Sequence, residues 1–176
     1  MRSAALRLVE NDPPTILSVA TAVPRFRLDQ EDVARAAARV FDRERSDIER
    51  MMPVFDNAGI ATRHSSVPME WYFETHGWRE RNQRYLANAV ELLTNAATEA
   101  LEQAGRKPGD IAAVVVVSTT GIATPSLDAV LMNRLDLPHT ILRLPIFGLG
   151  CAGGVIGLSH AAALARALPD GDVLFL

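Results

Sequence analysis

Residues 147–157 read FGLGCAGGVIG and contain Cys151, the only cysteine in this chain of 176 residues. An apolar run typical of a strand, 141–147, leads into the stretch, and a run typical of a helix, 152–168, leads out of it. At such a turn, backbone N–H groups and the positive end of the helix dipole stabilise a thiolate. The neighbouring glycines let a substrate or another backbone approach closely. The pattern predicts that Cys151 is a nucleophile exposed at this turn. A buried structural cysteine in a helix rich in Gly and Ala also fits the spacing.

Three stretches together resemble one enzyme family. Residues 150–154, GCAGG, resemble the nucleophile segment of type III polyketide synthases, the chalcone synthase-like enzymes, in its compact bacterial form. Residues 118–128, STTGIATPSLD, are similar to the family's segment of Thr-Thr, Gly, Pro and Asp. Residues 16–24, ILSVATAVP, resemble its first strand and Thr-x-x-Pro turn. The three matches come in the family's order, so the chain is identified as a member.

The resemblance implies an α/β fold of the thiolase-like kind. The chain corresponds to the N-terminal half of a layered α/β/α/β/α architecture with a mostly parallel sheet. Residues 1–14 end in NDPP and are interpreted as a loose N-terminal arm. Residues 15–176 are then the thiolase-like N-terminal domain that carries the nucleophilic Cys151, with the C-terminal half absent.

Hydrophobic periodicity and turn residues place the elements of this domain. A continuous β-branched run, 111–117, indicates a central parallel strand buried on both faces. Asp29 is a plausible N-cap for a helix to Phe41, and Ser126 for a helix to Leu135. The remaining predictions are strands at 16–21, 141–147 and 172–176, and helices at about 46–57, 85–103 and 152–168.

The resemblance assigns roles to four residues, and position in the sheet adds a fifth. Cys151 is the catalytic nucleophile. Thr119 lines the acyl cavity beside it, and Thr120 stands at the same strand end, where doubly wound sheets bind ligands. Thr124 is turned toward the partner subunit's cavity, and we predict a cis bond between Thr124 and Pro125. Arg50 matches a basic position that holds coenzyme A phosphates.

Two further basic positions of that phosphate-binding cluster are Pro53 and Asn57 in this chain. Arg63 is an alternative phosphate contact, and a solvated surface arginine is an equally good interpretation of Arg50 and Arg63. No His-x-His or His-x-x-x-His spacing occurs in the sequence, so we expect no metal site.

The reaction that the resemblance implies needs no cofactor, since its substrates are coenzyme A thioesters. Cys151 takes an acyl group from acyl-CoA, and decarboxylation of malonyl-CoA then supplies the carbanion for a Claisen condensation. The family's catalytic His and Asn come from the second half of the fold. His160 is nine positions beyond Cys151 on the same predicted helix and faces away from it. We therefore expect a truncated or split synthase that is inactive alone.

Charge, hydropathy and cysteine content indicate which partners and which cellular compartment to expect. A formal net charge of −3 gives no electrostatic basis for nucleic-acid binding. No apolar run approaches the roughly 18 residues of a membrane helix. Residues 1–15 lack a signal-peptide core, and one cysteine fits a reducing compartment, so we expect a cytoplasmic protein without a membrane partner.

Two alternatives and the assembly state stay open at this point. A ketoacyl synthase III-like condensing enzyme shares the fold, but such enzymes usually read Ala-Cys-Ala-Gly-Phe at the nucleophile. A non-catalytic partner that docks a full-length synthase is the alternative from a different class. As an enzyme, the chain is expected to form a homodimer or to pair with a C-terminal half that supplies His and Asn.

Overall fold

A computed structural model describes residues 13–41 and 48–176. The predicted arm, 1–14, therefore lies outside the described residues except for its two prolines. Contacts divide the described chain into two units. The first, the sheet unit, comprises the described residues up to Ala20 together with Thr94–Leu176. The second, the hairpin unit, is Thr21–Leu93.

The hairpin unit is built on two short strands that the sequence pattern did not predict. β1 (Phe26–Asp29) pairs antiparallel with β2 (Thr62–Ser65). Between them runs α1 (Gln30–Phe41), which has the bounds predicted from its acidic first turn. The buried Gln30 links the start of α1 to the residue before β2 and to Phe55. Its backbone N–H donates to Ala61 O at 3.0 Å, and its side-chain amide donates to Phe55 O at 3.0 Å.

The helix predicted at 46–57 is two short helices in the part of it that the structure describes. α2 (Ile48–Met51) ends one residue before α3 (Pro53–Asn57) begins. Proline has no N–H to continue a helix but is favoured in a first turn, so Pro53 starts a new helix. Gly59 follows with a φ of +63°, the conformation expected of the predicted C-cap glycine.

A long helix, α4 (Trp78–Ala104), follows a 3₁₀ turn at Met69–Phe73. The predicted helix at 85–103 is confirmed, and it begins seven residues earlier than the apolar periodicity indicated. Gly105 ends it with a φ of +63°, as predicted. In the part of the chain that the structure describes, no helix combines the length and the apolar character needed to cross a bilayer.

The sheet unit is centred on β3 (Ile111–Ser118), whose Val114 and Val115 are fully buried. β4 (Leu142–Phe147) and β5 (Asp172–Phe175) pair with it in parallel, one on each side, in the order β4-β3-β5. This confirms the predicted central parallel strand. α5 (Leu127–Arg134) packs on β3 and β4. Ser126 occupies its N-cap position, but its side chain makes no capping hydrogen bond.

The last helix, α6 (Gly153–Ala167), packs against β3 and β5 through glycine. A Cβ atom added to Gly157 would lie 2.6 Å from Val117 Cγ2 and 2.6 Å from Phe175 Cε2. One added to Gly153 would lie 2.6 Å from Val117 Cγ1. The absence of side chains there lets the helix lie directly on the sheet. A close approach was predicted at Gly148, Gly150, Gly153 and Gly154, and of these four glycines only Gly153 has one.

The buried strand predicted at 16–21 is wrong. These residues belong to no strand, and Ile16 and Val19 are 65% and 73% exposed. Ser18 Oγ donates to Ala100 O at 2.7 Å. A strand needs a second strand to share its ladder, and no described segment pairs with this one. Apolar, β-branched composition alone does not supply that partner.

Candidate active site

Cys151 lies in the turn that joins β4 to α6. Gly148 and Gly150 have φ values of +84° and +53°, in the left-handed region where a side chain costs free energy. A 3₁₀ turn, Gly150–Ala152, follows, and α6 begins at Gly153. Cys151 is exposed, so the alternative of a buried structural cysteine is wrong. The turn presents the thiol at the N-terminal end of a helix.

The thiol has no base beside it among the described residues, where Cys151 makes no hydrogen bond. His160 is exposed on α6, nine residues further along. Cys151 lies in the turn before α6, and no hydrogen bond joins its thiol to His160. The described residues of this unit therefore place no general base beside the Cys151 thiol.

The two sequence motifs leave the sheet side by side. β3 and β4 are parallel neighbours, and Ser118 at the end of β3 pairs with Phe147 at the end of β4. Gly148 N–H donates to Ser118 O at 3.3 Å, which continues the ladder beyond the strands. Thr119 and Thr120 follow Ser118 and are exposed. The Thr-Thr segment and the cysteine turn thus project from the same edge of the sheet, where α/β proteins bind ligands.

An open cleft of about 190 Å³ lies at these strand ends. Ile122, Pro145 and Phe147 are among its largely apolar lining, and none of the three predicted threonines contributes to it. Sites that enclose a small molecule usually measure about 300–1,000 Å³. The cleft alone is therefore too small to enclose an acyl-CoA.

Thr124 lies in the loop that borders the cleft. Its side chain is exposed, and the Thr124–Pro125 bond is cis, as predicted.

A partly buried ion pair, which sequence reasoning missed, joins the helix that follows this loop to the strand that leads to Cys151. Asp128, in the first turn of α5, is 0% exposed, and its Oδ2 accepts from Arg143 Nη1 of β4 at 3.0 Å. Its Oδ1 is buried without a hydrogen-bond partner. Two signals were available in the sequence. Asp128 belongs to the quoted motif STTGIATPSLD, and Arg143 is the one charged residue in the apolar run 141–147.

The predicted phosphate-binding residues belong to the hairpin unit. Arg50 is exposed at the end of α2. Arg63 is exposed on β2, and its Nε donates to Gln30 Oε1 at 2.7 Å. Arg63 is therefore held by a buried partner, whereas no such contact orients Arg50 among the described residues.

Comparison with known proteins agrees with this arrangement. Residues 2–176 match the profile of the N-terminal domain of chalcone and stilbene synthases. The chain belongs to this family. It is 38% identical over 166 residues to a Bacillus subtilis (strain 168) protein whose name gives it as a candidate chalcone synthase. It is 33% identical over 162 residues to the 1,3,6,8-tetrahydroxynaphthalene synthase of Streptomyces peucetius subsp. caesius.

These matches cover 92% of the chain but only 46% and 43% of the two relatives. The chain thus spans slightly less than half the length of the curated relatives it matches.

The crystal structure of 1,3,6,8-tetrahydroxynaphthalene synthase from Streptomyces coelicolor A3(2), a bacterial type III polyketide synthase, superimposes with a TM-score of 0.82 at 28% identity. The match covers 90% of this chain and 46% of that one. The predicted fold class, thiolase-like α/β with a parallel sheet, is confirmed.

Proposed function

We propose that this chain is the nucleophile-bearing part of a type III polyketide synthase and that Cys151 carries the growing acyl group. The observation that supports this most strongly is the exposed thiol at the β4–α6 turn, beside the carboxyl end of β3. A nucleophile presented at the start of a helix lies beside outward-pointing backbone N–H groups, which can donate to an anionic intermediate.

The proposed reaction begins with attack of the Cys151 thiolate on the carbonyl carbon of an acyl-CoA, which expels coenzyme A as its thiolate. The oxyanion that forms in this step is stabilised by the backbone N–H of Cys151. Malonyl-CoA then loses CO₂, and its α-carbon attacks the Cys151 thioester. The bond between the acyl carbon and the Cys151 sulfur breaks, which regenerates the thiolate and forms a β-ketoacyl-CoA. This product leaves, or its acyl group returns to Cys151 for another round of extension.

The remaining roles are proposals of the same kind. Thr119, Thr120 and Thr124 contact the acyl chain, and Arg50, or the better-held Arg63, contacts the coenzyme A phosphates. A His and an Asn from a second half of the fold stabilise the charge on the malonyl thioester oxygen. That half belongs to the same polypeptide or to a partner chain, and the assembled enzyme is a cytoplasmic homodimer that requires no cofactor.

The first test is acyl loading. We expect incubation with a medium-chain acyl-CoA to add one acyl group to the chain slowly, as measured by intact-protein mass spectrometry. Cys151→Ala should abolish the mass increase. The control is Ser159→Ala, which alters an exposed residue of α6 and should leave loading unchanged. Loading that persists in Cys151→Ala would place the acyl group elsewhere and contradict the proposal.

The second test is condensation with labelled malonyl-CoA. We expect no steady turnover by residues 1–176 alone and labelled product once a second half of the fold is supplied. Product formed only from malonyl-acyl carrier protein would instead indicate a ketoacyl synthase III-like enzyme. Acyl loading and turnover that are both absent from the assembled protein would favour a non-catalytic partner.

A further inference from the structure

The hairpin unit contains a histidine that the catalytic proposal does not use. His76 lies between the 3₁₀ turn at Met69–Phe73 and the start of α4. Its side chain is 10% exposed. Its imidazole stacks on the Trp71 indole, with ring centroids 3.8 Å apart and planes 3° from parallel. A histidine held this firmly has a defined set of polar partners.

Both ring nitrogens of His76 face acceptors. Nδ1 is 2.9 Å from Glu80 Oε2, and Nε2 is 2.9 Å from the Trp71 carbonyl oxygen. A neutral imidazole carries one N–H, so in either tautomer one nitrogen lone pair would point at an oxygen lone pair. The imidazolium carries two N–H groups and satisfies both contacts. The geometry therefore selects the protonated ring.

Charges around the ring support the same state. The hydrogen bond to Glu80 is the largest cause that raises the pKa of His76 above 6.5; partial burial opposes it, and the carboxylates of Glu80 and Glu74 add to it. The hydrogen bond from His76 is the main cause that lowers the pKa of Glu80. Arg84 Nε lies 3.3 Å from the other oxygen of Glu80, so that carboxylate keeps a partner if His76 loses its charge.

We propose that His76 is a protonation-controlled clamp, which fixes the 3₁₀ turn to α4 while its ring is charged and releases the turn when the ring is neutral. Loss of one proton converts one of the two hydrogen bonds into a repulsive contact. The turn would then remain attached through aromatic contacts, among them Arg39 of α1 over the Phe73 ring.

The sign of the pH dependence follows from the two pKa directions. Because the pKa of His76 is raised by folding, its contribution to stability is fully present below pH 6.5 and is lost as the pH rises through the folded-state pKa. Because the pKa of Glu80 is lowered, its contribution is present above pH 4.5 and is lost on acidification. The clamp is therefore tightest between pH 4.5 and a value above 6.5.

Tryptophan emission of the whole chain tests this proposal. The chain has two tryptophans, so Trp78→Phe leaves Trp71, the stacking partner of His76, as the only one. In that background we expect emission to change between pH 5 and 9 with a midpoint above 6.5. His76→Gln should abolish the transition, and Glu80→Gln should lower its midpoint.

The matched control is Glu91→Gln, which removes an exposed carboxylate from the same helix and should leave the midpoint unchanged. If His76→Gln does not fold, ¹⁵N NMR of the unmodified chain decides the question. Both ring nitrogens of His76 protonated in most molecules at pH 6.5 would support the clamp. A single neutral tautomer at that pH, or a transition unaffected by Glu80→Gln, would overturn it.

Discussion

The two units of the chain are stabilised by different kinds of contact. In the described residues, every buried apolar side chain except Val67 belongs to the sheet unit. The hairpin unit buries Gln30 and Ser65 instead, and both make hydrogen bonds. Its other internal contacts include the His76–Glu80 ion pair and cations over aromatic rings.

This difference predicts how each unit responds to mutation. Fully burying a Val or Leu side chain contributes about 1.5–3 kcal/mol, whereas a typical hydrogen bond contributes about 0.5–1.5 kcal/mol net. Losses in the sheet unit should therefore be larger and nearly independent of pH. Losses in the hairpin unit should be smaller and should depend on pH and salt.

The largest effect is expected where the sheet unit departs from its apolar character. Arg143→Met leaves the Asp128 carboxylate fully buried without a cation, and an uncompensated buried charge of this kind costs about 3–5 kcal/mol. The free energy of unfolding is measured by a urea titration in which circular dichroism monitors the loss of structure.

The reverse variant, Asp128→Asn, should cost less. Arg143 is 40% exposed and can be rehydrated when its carboxylate partner is lost, whereas Asp128 cannot. Equal losses from the two variants would show that the buried carboxylate does not determine the stability of this pair.

Next in size is Leu131→Ala, in the apolar core of the sheet unit. Leu131 is 0% exposed on α5, and truncation of such a leucine costs about 2–5 kcal/mol because it leaves a cavity. The matched change Leu158→Ala removes a side chain that is 46% exposed on α6 and should cost well under half as much. A comparable loss at both positions, by the same urea titration, would contradict the assignment of the core.

The sheet unit was predictable because its sequence shows apolar runs and the β-branched composition of buried strands. The continuous run 111–117 has the β-branched character that strands buried on both faces require, and β3 has that position. Gly153, one of the four glycines predicted to allow a close approach, likewise lies where α6 meets Val117 of β3. In both cases the physical cause, burial of apolar surface, acts on residues adjacent in sequence.

The hairpin unit was less predictable because its contacts join distant residues of mixed type. β1 and β2 have few apolar residues. Their pairing depends on 4 registered positions, and three helices lie between the two strands in the described part of the chain. The stacking of His76 on Trp71 has no periodic signal. The false strand at 16–21 shows the opposite limit, since strand-like composition does not establish that a pairing strand exists.

Among the candidate site residues, the sequence located Cys151 and the Thr-Thr segment because each follows a recognisable strand. The ion pair between Asp128 and Arg143 was missed, since a charged residue inside an apolar run identifies neither its partner nor its burial. Side chains that meet across α5 and β4 are set by tertiary packing rather than by spacing.

A smaller effect is expected where α6 lies on the sheet. Gly157→Ala places a Cβ 2.6 Å from Val117 Cγ2, and overpacking of this kind costs about 1–3 kcal/mol. Gly154→Ala is the control, because a Cβ there meets nothing within 4 Å. That change should stabilise the helix by about 0.5–1 kcal/mol, since alanine is the better helix former. If Gly157→Ala and Gly154→Ala both stabilise the protein, the contact at Gly157 relaxes without cost.

The smallest effect is expected in the hairpin unit, at Arg39. Its guanidinium carbon lies 4.3 Å from the centroid of the Phe73 ring, and an exposed cation–π contact contributes about 0.5–1 kcal/mol. Trp71 and Trp78 both belong to this unit, so tryptophan emission during urea titration reports its unfolding. Arg39→Gln should shift the emission midpoint to lower urea, while Arg79→Gln, an exposed residue of α4, should leave it in place.

Because each variant removes one positive charge, a general effect of net charge would shift both midpoints alike. A shift confined to Arg39 would show that a ring contact, rather than apolar burial, stabilises this unit. If the midpoint does not shift in Arg39→Gln, this cation–π contact does not stabilise the hairpin unit.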